Sequence, residues 1–164
     1  MNMKKVLDTI DNIVLFIIVI VLSVMVVVGS MQVIWRYLLK TSLSWSEELM
    51  RFLYVWATML GICCGIRRQS FAKIDNFLDY VSGRSELLGK IFHLLCFGLE
   101  IFVLFLLIYY GGIFMYRGLK QTSPAMGIKM AYVYLAFPVG GFLGLLFTFE
   151  EFLEYFHILT KRRE

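Results

Sequence analysis

The sequence predicts an all-α integral membrane protein: four transmembrane helices plus a cytoplasmic interfacial amphipathic helix. Three observations predict it. Hydrophobic residues make up 60% of the 164 residues and the mean hydropathy is +0.77, which leaves too little polar side chain to coat a soluble domain. Charged residues, 17% of the chain, cluster between four long apolar runs. The connection between the second and third runs alternates apolar and charged residues with a helical period.

The first run carries no charge from Asn12 to Trp35, long enough for a hydrocarbon core of about 30 Å at about 1.5 Å per residue. Lys4 and Lys5 precede it as in a secretory signal. The run is too long for a signal core, however, and no small-residue cleavage site follows, so it is expected to stay as an anchor. The second run, Phe52 to Ile66, is short and needs its flanking turns to complete a crossing. The third extends from Ile91 to Tyr116 with Glu100 inside it, and the fourth covers Met130 to Phe149. Spans are therefore expected at about 12–35, 47–67, 91–116 and 130–150 within a single domain, 1–164, undivided by any low-complexity linker.

In the middle connection Phe71, Ile74, Phe77, Leu78 and Val81 share one helical face, with Lys73, Asp75, Asn76 and Asp79 opposite. This pattern predicts a helix over about 70–82 lying in the membrane interface, with Arg67, Arg68 and Lys73 near lipid phosphates. Along the fourth run Ala136, Gly140 and Gly144 recur every four residues, a spacing that lets helix backbones approach closely, either within the chain or on a partner.

Basic residues set the expected orientation. With both termini in the cytoplasm, ten of the sixteen lie inside: Lys4, Lys5, Arg67, Arg68, Lys73, Arg84, Lys90, Lys161, Arg162 and Arg163. Arg36, Lys40, Arg51, Arg117, Lys120 and Lys129 lie outside. The net charge of +4 is small and dispersed, so nucleic acid is not expected as a partner.

Chemistry is hard to find. Cys63, Cys64, His93 and Cys96 share a membrane layer, and thiolate with imidazole suits zinc. Adjacent cysteines, though, point to different sides of a helix, and free cysteine in a span is ordinarily a small apolar residue. His93 and His157 raise an axial haem pair, but His157 sits in an acidic, amphipathic tail. No catalytic, cofactor-binding or metal-ligating residue is assigned. Glu100 is different, because an intramembrane carboxylate is a functional candidate by default. It is hydrogen-bonded at a helix contact, or reaches toward Arg67 or Arg68 at the inner surface, or is the coupling acid of a small proton-driven exporter.

The densest polar signal is "TSLSWSEELMRFLYVWA" from Thr41 to Ala57. Ser44 and Glu47 have capping-box spacing. Glu47 and Glu48 suit the positive start of a helix, and Arg51 lies within pairing distance of either acid by sequence spacing. An exposed pair of this kind adds only about 0.2–1 kcal/mol, so a role in register or partner choice is the stronger reason for an arginine there.

These residues resemble the small membrane subunit of TRAP (tripartite ATP-independent periplasmic) transporters, the DctQ-like family. The first signature matches at Arg36-Tyr37, Ser42-Leu43, Trp45, Glu47-Glu48-Leu49, Arg51, Gly61 and Arg67-Arg68. The second matches at Ser123-Pro124-Ala125, Gly127-Ile128, Tyr134 and Pro138. Phe71-Ala72 and Lys129 depart from the usual pattern. The resemblance implies one subunit of a sodium-driven importer of organic acids, such as C4-dicarboxylates, sialic acid or 2-oxo acids. Its implied partners are a large M-type membrane subunit, which binds sodium and substrate, a periplasmic substrate-binding protein, and membrane lipids. Arg36, Trp45, Glu47, Glu48, Arg51, Ser123 and Pro124 are then the expected subunit-contact or docking residues.

Overall fold

The computed structural model describes the backbone of residues 3–40, 43–68 and 86–161. The amphipathic helix expected over 70–82, with Lys73, lies outside the described residues. Helix α1 runs Met3–Leu39, α2 Ser44–Arg67 and α3 Glu86–Gly118. A single turn, α4 (Ala131–Tyr134), precedes α5 (Ala136–Lys161). Among the described residues four stretches are long and apolar enough to cross a membrane: Lys4–Leu38, Ser44–Arg67, Leu94–Gly118 and Ala131–Leu153.

Inside a membrane a helix must satisfy its own polar groups. Ser23 and Thr58 do so by donating their hydroxyls to the carbonyls of Val19 and Tyr54, four residues back, at 2.8 Å each. Helix α1 ends where Lys40 takes a φ of 52°, a left-handed conformation that turns the chain toward α2. The fourth span is broken at Leu135, where one continuous helix was expected. Pro138 explains the break, since it has no amide to give the carbonyl of Tyr134. Bonds from Leu135 to Ala131 (2.9 Å) and from Val139 to Leu135 (3.2 Å) carry the chain past it.

The spans pack in a row. Helix α1 lies on α2, α2 on α5, and α5 on α3, with α4 against α3. Both ends of the row leave broad apolar faces uncovered. On α1, Phe16, Val26 and Val27 are each about two-thirds exposed (67%, 68% and 66%). The row's centre is built by α5. A Cβ on Gly140 would lie 3.1 Å from the Cβ of Met59 and 3.3 Å from its carbonyl oxygen, so this glycine lets α5 touch the backbone of α2. Gly144 admits Leu104 of α3 in the same way, and Ala136 is buried above them. The small residues thus serve a contact within the chain. Beneath them Cys63 donates its thiol to the carbonyl of Gly140 at 3.0 Å, inside a cluster with Leu7, Ile66, Leu104 and Phe147.

The end of the row where α1 begins and α5 ends also holds a charge cluster. Arg67 reaches Asp8 of α1 at 2.6 Å and Glu150 of α5 at 3.4 Å, and its guanidinium lies 5.2 Å from the centre of the Phe147 ring. Arg68 gives two hydrogen bonds, 3.0 and 3.2 Å, to one oxygen of Asp11. The sequence put both arginines near lipid phosphates. In the fold the Arg67 side chain is only 10% exposed and ties three helices together through carboxylates on α1 and α5. The Arg68 side chain is half exposed.

Candidate functional site

The opposite end, here the turn end, carries the α1–α2 turn and the loop from Leu119 to Met130 between α3 and α4. That loop is a tight, closed structure. Thr122 and Lys129 form an isolated antiparallel bridge. The amide of Ser123 bonds the carbonyl of Ile128 (2.8 Å), Gly127 bonds Ser123 (3.0 Å), and Met130 bonds Gln121 (2.9 Å). Gly127 makes the reversal possible with a φ of 67°, a region that side-chain-bearing residues avoid.

Glu48 of α2 fills the hollow of this loop. One carboxylate oxygen accepts from the hydroxyl of Ser123 and from the amides of Ala125 and Met126, each amide at 3.3 Å. Ser123 also accepts from the Met126 amide at 3.1 Å and is buried. An anion receiving several donors is well held, since charge-assisted hydrogen bonds are about twice as strong as neutral ones. Close by, the indole of Trp56 donates to the carbonyl of Tyr132 at 3.2 Å. The start of α2 and the loop are therefore one unit.

Two local expectations fail here. The capping box does not form: Leu43 is the N-cap residue and no side chain caps the helix. Ser46, fully buried, donates instead to the carbonyl of Leu43 at 2.7 Å. Glu47 cannot fold back because Gln32 of α1 donates to its carboxylate at 3.1 Å. Nor does Arg51 pair with either acid, since α1 holds Glu47 and the loop holds Glu48. Among the described residues Arg51 makes no ion pair, and its side chain is exposed.

The result is a charged platform. Arg36, Lys40, Arg51, Arg117, Lys120 and Lys129 are all exposed at this end. Set against Glu47 and Glu48, six positive and two negative charges leave +4 by count. Trp45 and Pro124 are exposed beside them. Of the expected docking residues, Glu48 and Ser123 meet directly, while Arg36, Trp45, Arg51 and Pro124 stay open to the surroundings. Gln32 and Met126 were missed. A lone amide in the apolar run of α1 was the available signal for Gln32; nothing local pointed to Met126.

Glu100, the intramembrane acid, accepts from the hydroxyl of Thr148 at 2.9 Å, and Thr148 also lies 3.0 Å from the carbonyl of Gly144. The carboxylate thus joins α3 to α5. Among the described residues no cluster of His, Cys, Asp or Glu could hold a metal.

Comparison with known proteins gives this architecture its context. The family described as tripartite ATP-independent periplasmic transporters, DctQ component, matches residues 25–157. The sialic acid TRAP transporter small permease protein SiaQ of Vibrio cholerae serotype O1 is 27% identical over 165 residues, covering 97% of this chain and 88% of the relative. Four spanning helices and that match make the chain a multi-pass protein of the inner membrane. The chain belongs to the DctQ family, the small permease subunits of TRAP transporters, which are transporter components and not enzymes.

Proposed function

We propose that this chain is the small subunit of a sodium-coupled, binding-protein-dependent importer of organic acids. It extends the static scaffold of the large M-type subunit and presents the turn end to the periplasmic binding protein. Substrate and sodium are bound by the large subunit. One observation carries the reading. The hold of the α3–α4 loop on Glu48 fixes a basic surface on which Arg51 is exposed and unpaired among the described residues. An exposed basic charge that no acid among the described residues neutralises suits recognition of an acidic partner face better than it suits stability. The uncovered apolar faces of α1 and α3 suit contact with lipid and the larger subunit. Sialic acid, named for the relative, is one candidate among the organic acids.

In this reading the termini lie in the cytoplasm, the side that then holds ten of the sixteen basic residues. Pro124, exposed at the loop tip, is the labelling position for this; Ser123 is unsuitable because it is buried. A single cysteine at Pro124, with Cys63, Cys64 and Cys96 replaced, should react with an impermeant maleimide added to the periplasmic side. Protection there would invert the orientation. For the activity, proteoliposomes holding the large subunit and binding protein should take up labelled sialic acid, a C4-dicarboxylate or a 2-oxo acid on a sodium gradient when this chain is included. Equal uptake without this chain, or without sodium, contradicts the reading.

A further inference from the structure

We infer that the groove between α3 and the start of α5 binds an anionic phospholipid, with an acyl chain in the groove and the headgroup phosphate on Arg117. The groove has a volume of about 330 Å³. Its floor is the row Val103, Leu107, Tyr110 and Phe114 on α3, and its wall is Phe137 of α5. Gly111 creates it: a Cβ there would lie 2.6 Å from the Cβ of Phe137, so the glycine lets α5 seat against α3 beside the row. The ring of Phe114, tilted against Tyr134 at 6.0 Å between centres, bounds the end nearest the loop.

Length and charge choose the occupant. From Val103 to Phe114 the row covers about 16 Å of helix at about 1.5 Å per residue, close to half of a hydrocarbon core of about 30 Å. The groove is thus one leaflet deep. It stops midway along the Leu94–Gly118 span, whereas a partner helix crossing the membrane would be seated along the whole of it. Arg117 follows Tyr110 by seven residues and Phe114 by three, so it continues the same helical face at the level of the turn end. It is exposed and, among the described residues, has no ion pair. An apolar slot one leaflet deep, with an unpaired guanidinium at its mouth, matches one lipid tail beneath one phosphate. Lys120, exposed and three residues further on, lies close enough in sequence to strengthen the choice of an anionic headgroup.

The test is native mass spectrometry of the purified full chain in detergent, titrated with palmitoyl-oleoyl phosphatidylglycerol or the matching phosphatidylcholine. The chain should retain phosphatidylglycerol about fivefold over phosphatidylcholine, the discrimination one basic residue gives near an anionic headgroup. Arg117→Gln should bring the ratio toward one. Leu107→Trp, which fills the groove, should lose retention of both lipids; Val103→Trp serves if that variant does not fold. Phe105→Trp, on the opposite face of α3, should behave as the unaltered chain. An unchanged ratio in Arg117→Gln overturns the inference. So does unchanged lipid retention in both filled variants, and if those variants also lose a co-purifying membrane subunit, the groove belongs to a partner helix.

Discussion

Glu48 and Ser123, seventy-five residues apart in sequence, share a hydrogen bond that closes the α3–α4 loop onto the first turn of α2. Each belongs to a different stretch of family-like sequence, and the fold brings the two stretches into one surface. Glu48→Gln keeps the shape and removes the charge that three donors converge on. Hydrogen bonds to charged groups are worth about 1.5–3 kcal/mol, so a loss of that size is expected. It should show as earlier thermal unfolding in detergent and as faster protease cutting within residues 121–130. Ser123→Ala should cause a similar loss, and the double variant should lose less than the sum, because one change weakens and the other removes the same contact. Strict additivity would mean that the pair is not coupled.

Arg67 should matter far more than the exposed acid it touches. Removing a buried member of an ion pair leaves its partners uncompensated, at a cost of about 3–5 kcal/mol. Arg67→Ala removes the buried guanidinium from Asp8 and Glu150 together, whereas Asp8→Ala leaves Arg67 still paired with Glu150. Asp8 is 61% exposed, so its loss should cost about 0.2–1 kcal/mol. Unfolding by titrated dodecyl sulfate, followed by circular dichroism, should rank the two variants in that order.

Glu100→Gln should leave uptake by the assembled transporter near its original rate. The amide oxygen can still accept from Thr148, so the contact between α3 and α5 is preserved while charge and proton are removed. Glu100→Leu should lower stability, because the hydrogen bond that joins α3 to α5 is lost while the Thr148 hydroxyl keeps only the carbonyl of Gly144. Uptake abolished in Glu100→Gln, with assembly intact, would point to a coupling role for this acid.

The sequence read well where a property depends on neighbours along the chain. An apolar run long enough to span is one-dimensional, so the four crossings and the all-α class were legible. The break at Leu135 was legible in principle as well, because Pro138 marks it. What failed were local rules set against distant partners. Ser44 and Glu47 had the spacing of a capping box, yet Gln32 on another helix holds Glu47. Glu47, Glu48 and Arg51 had the spacing of helix-surface pairs, yet each acid found a better partner across the fold. Arg67 looked like a membrane-surface arginine because Asp8 and Glu150 lie fifty-nine and eighty-three residues away. Charged groups entering a low-dielectric region are governed by whichever counter-charge the packing supplies, and spacing cannot reveal that.

On the proposed function, the turn end recognises the periplasmic binding protein through exposed charge. The direct measurement is the affinity of fluorescently labelled, substrate-loaded binding protein for proteoliposomes containing both membrane subunits. The unaltered chain should be compared with Arg51→Ala and Lys120→Ala. Arg51 makes no ion pair among the described residues, so Arg51→Ala should leave the thermal unfolding of the isolated subunit unchanged. Docking should nevertheless weaken about tenfold or more, in line with the 2–5 kcal/mol range for truncating a charge that becomes buried at an interface. Added salt should narrow the difference, and Lys120→Ala should do little. Equal affinities for all three at low salt, with uptake unaltered, would contradict the claim and leave Arg51 an ordinary surface arginine.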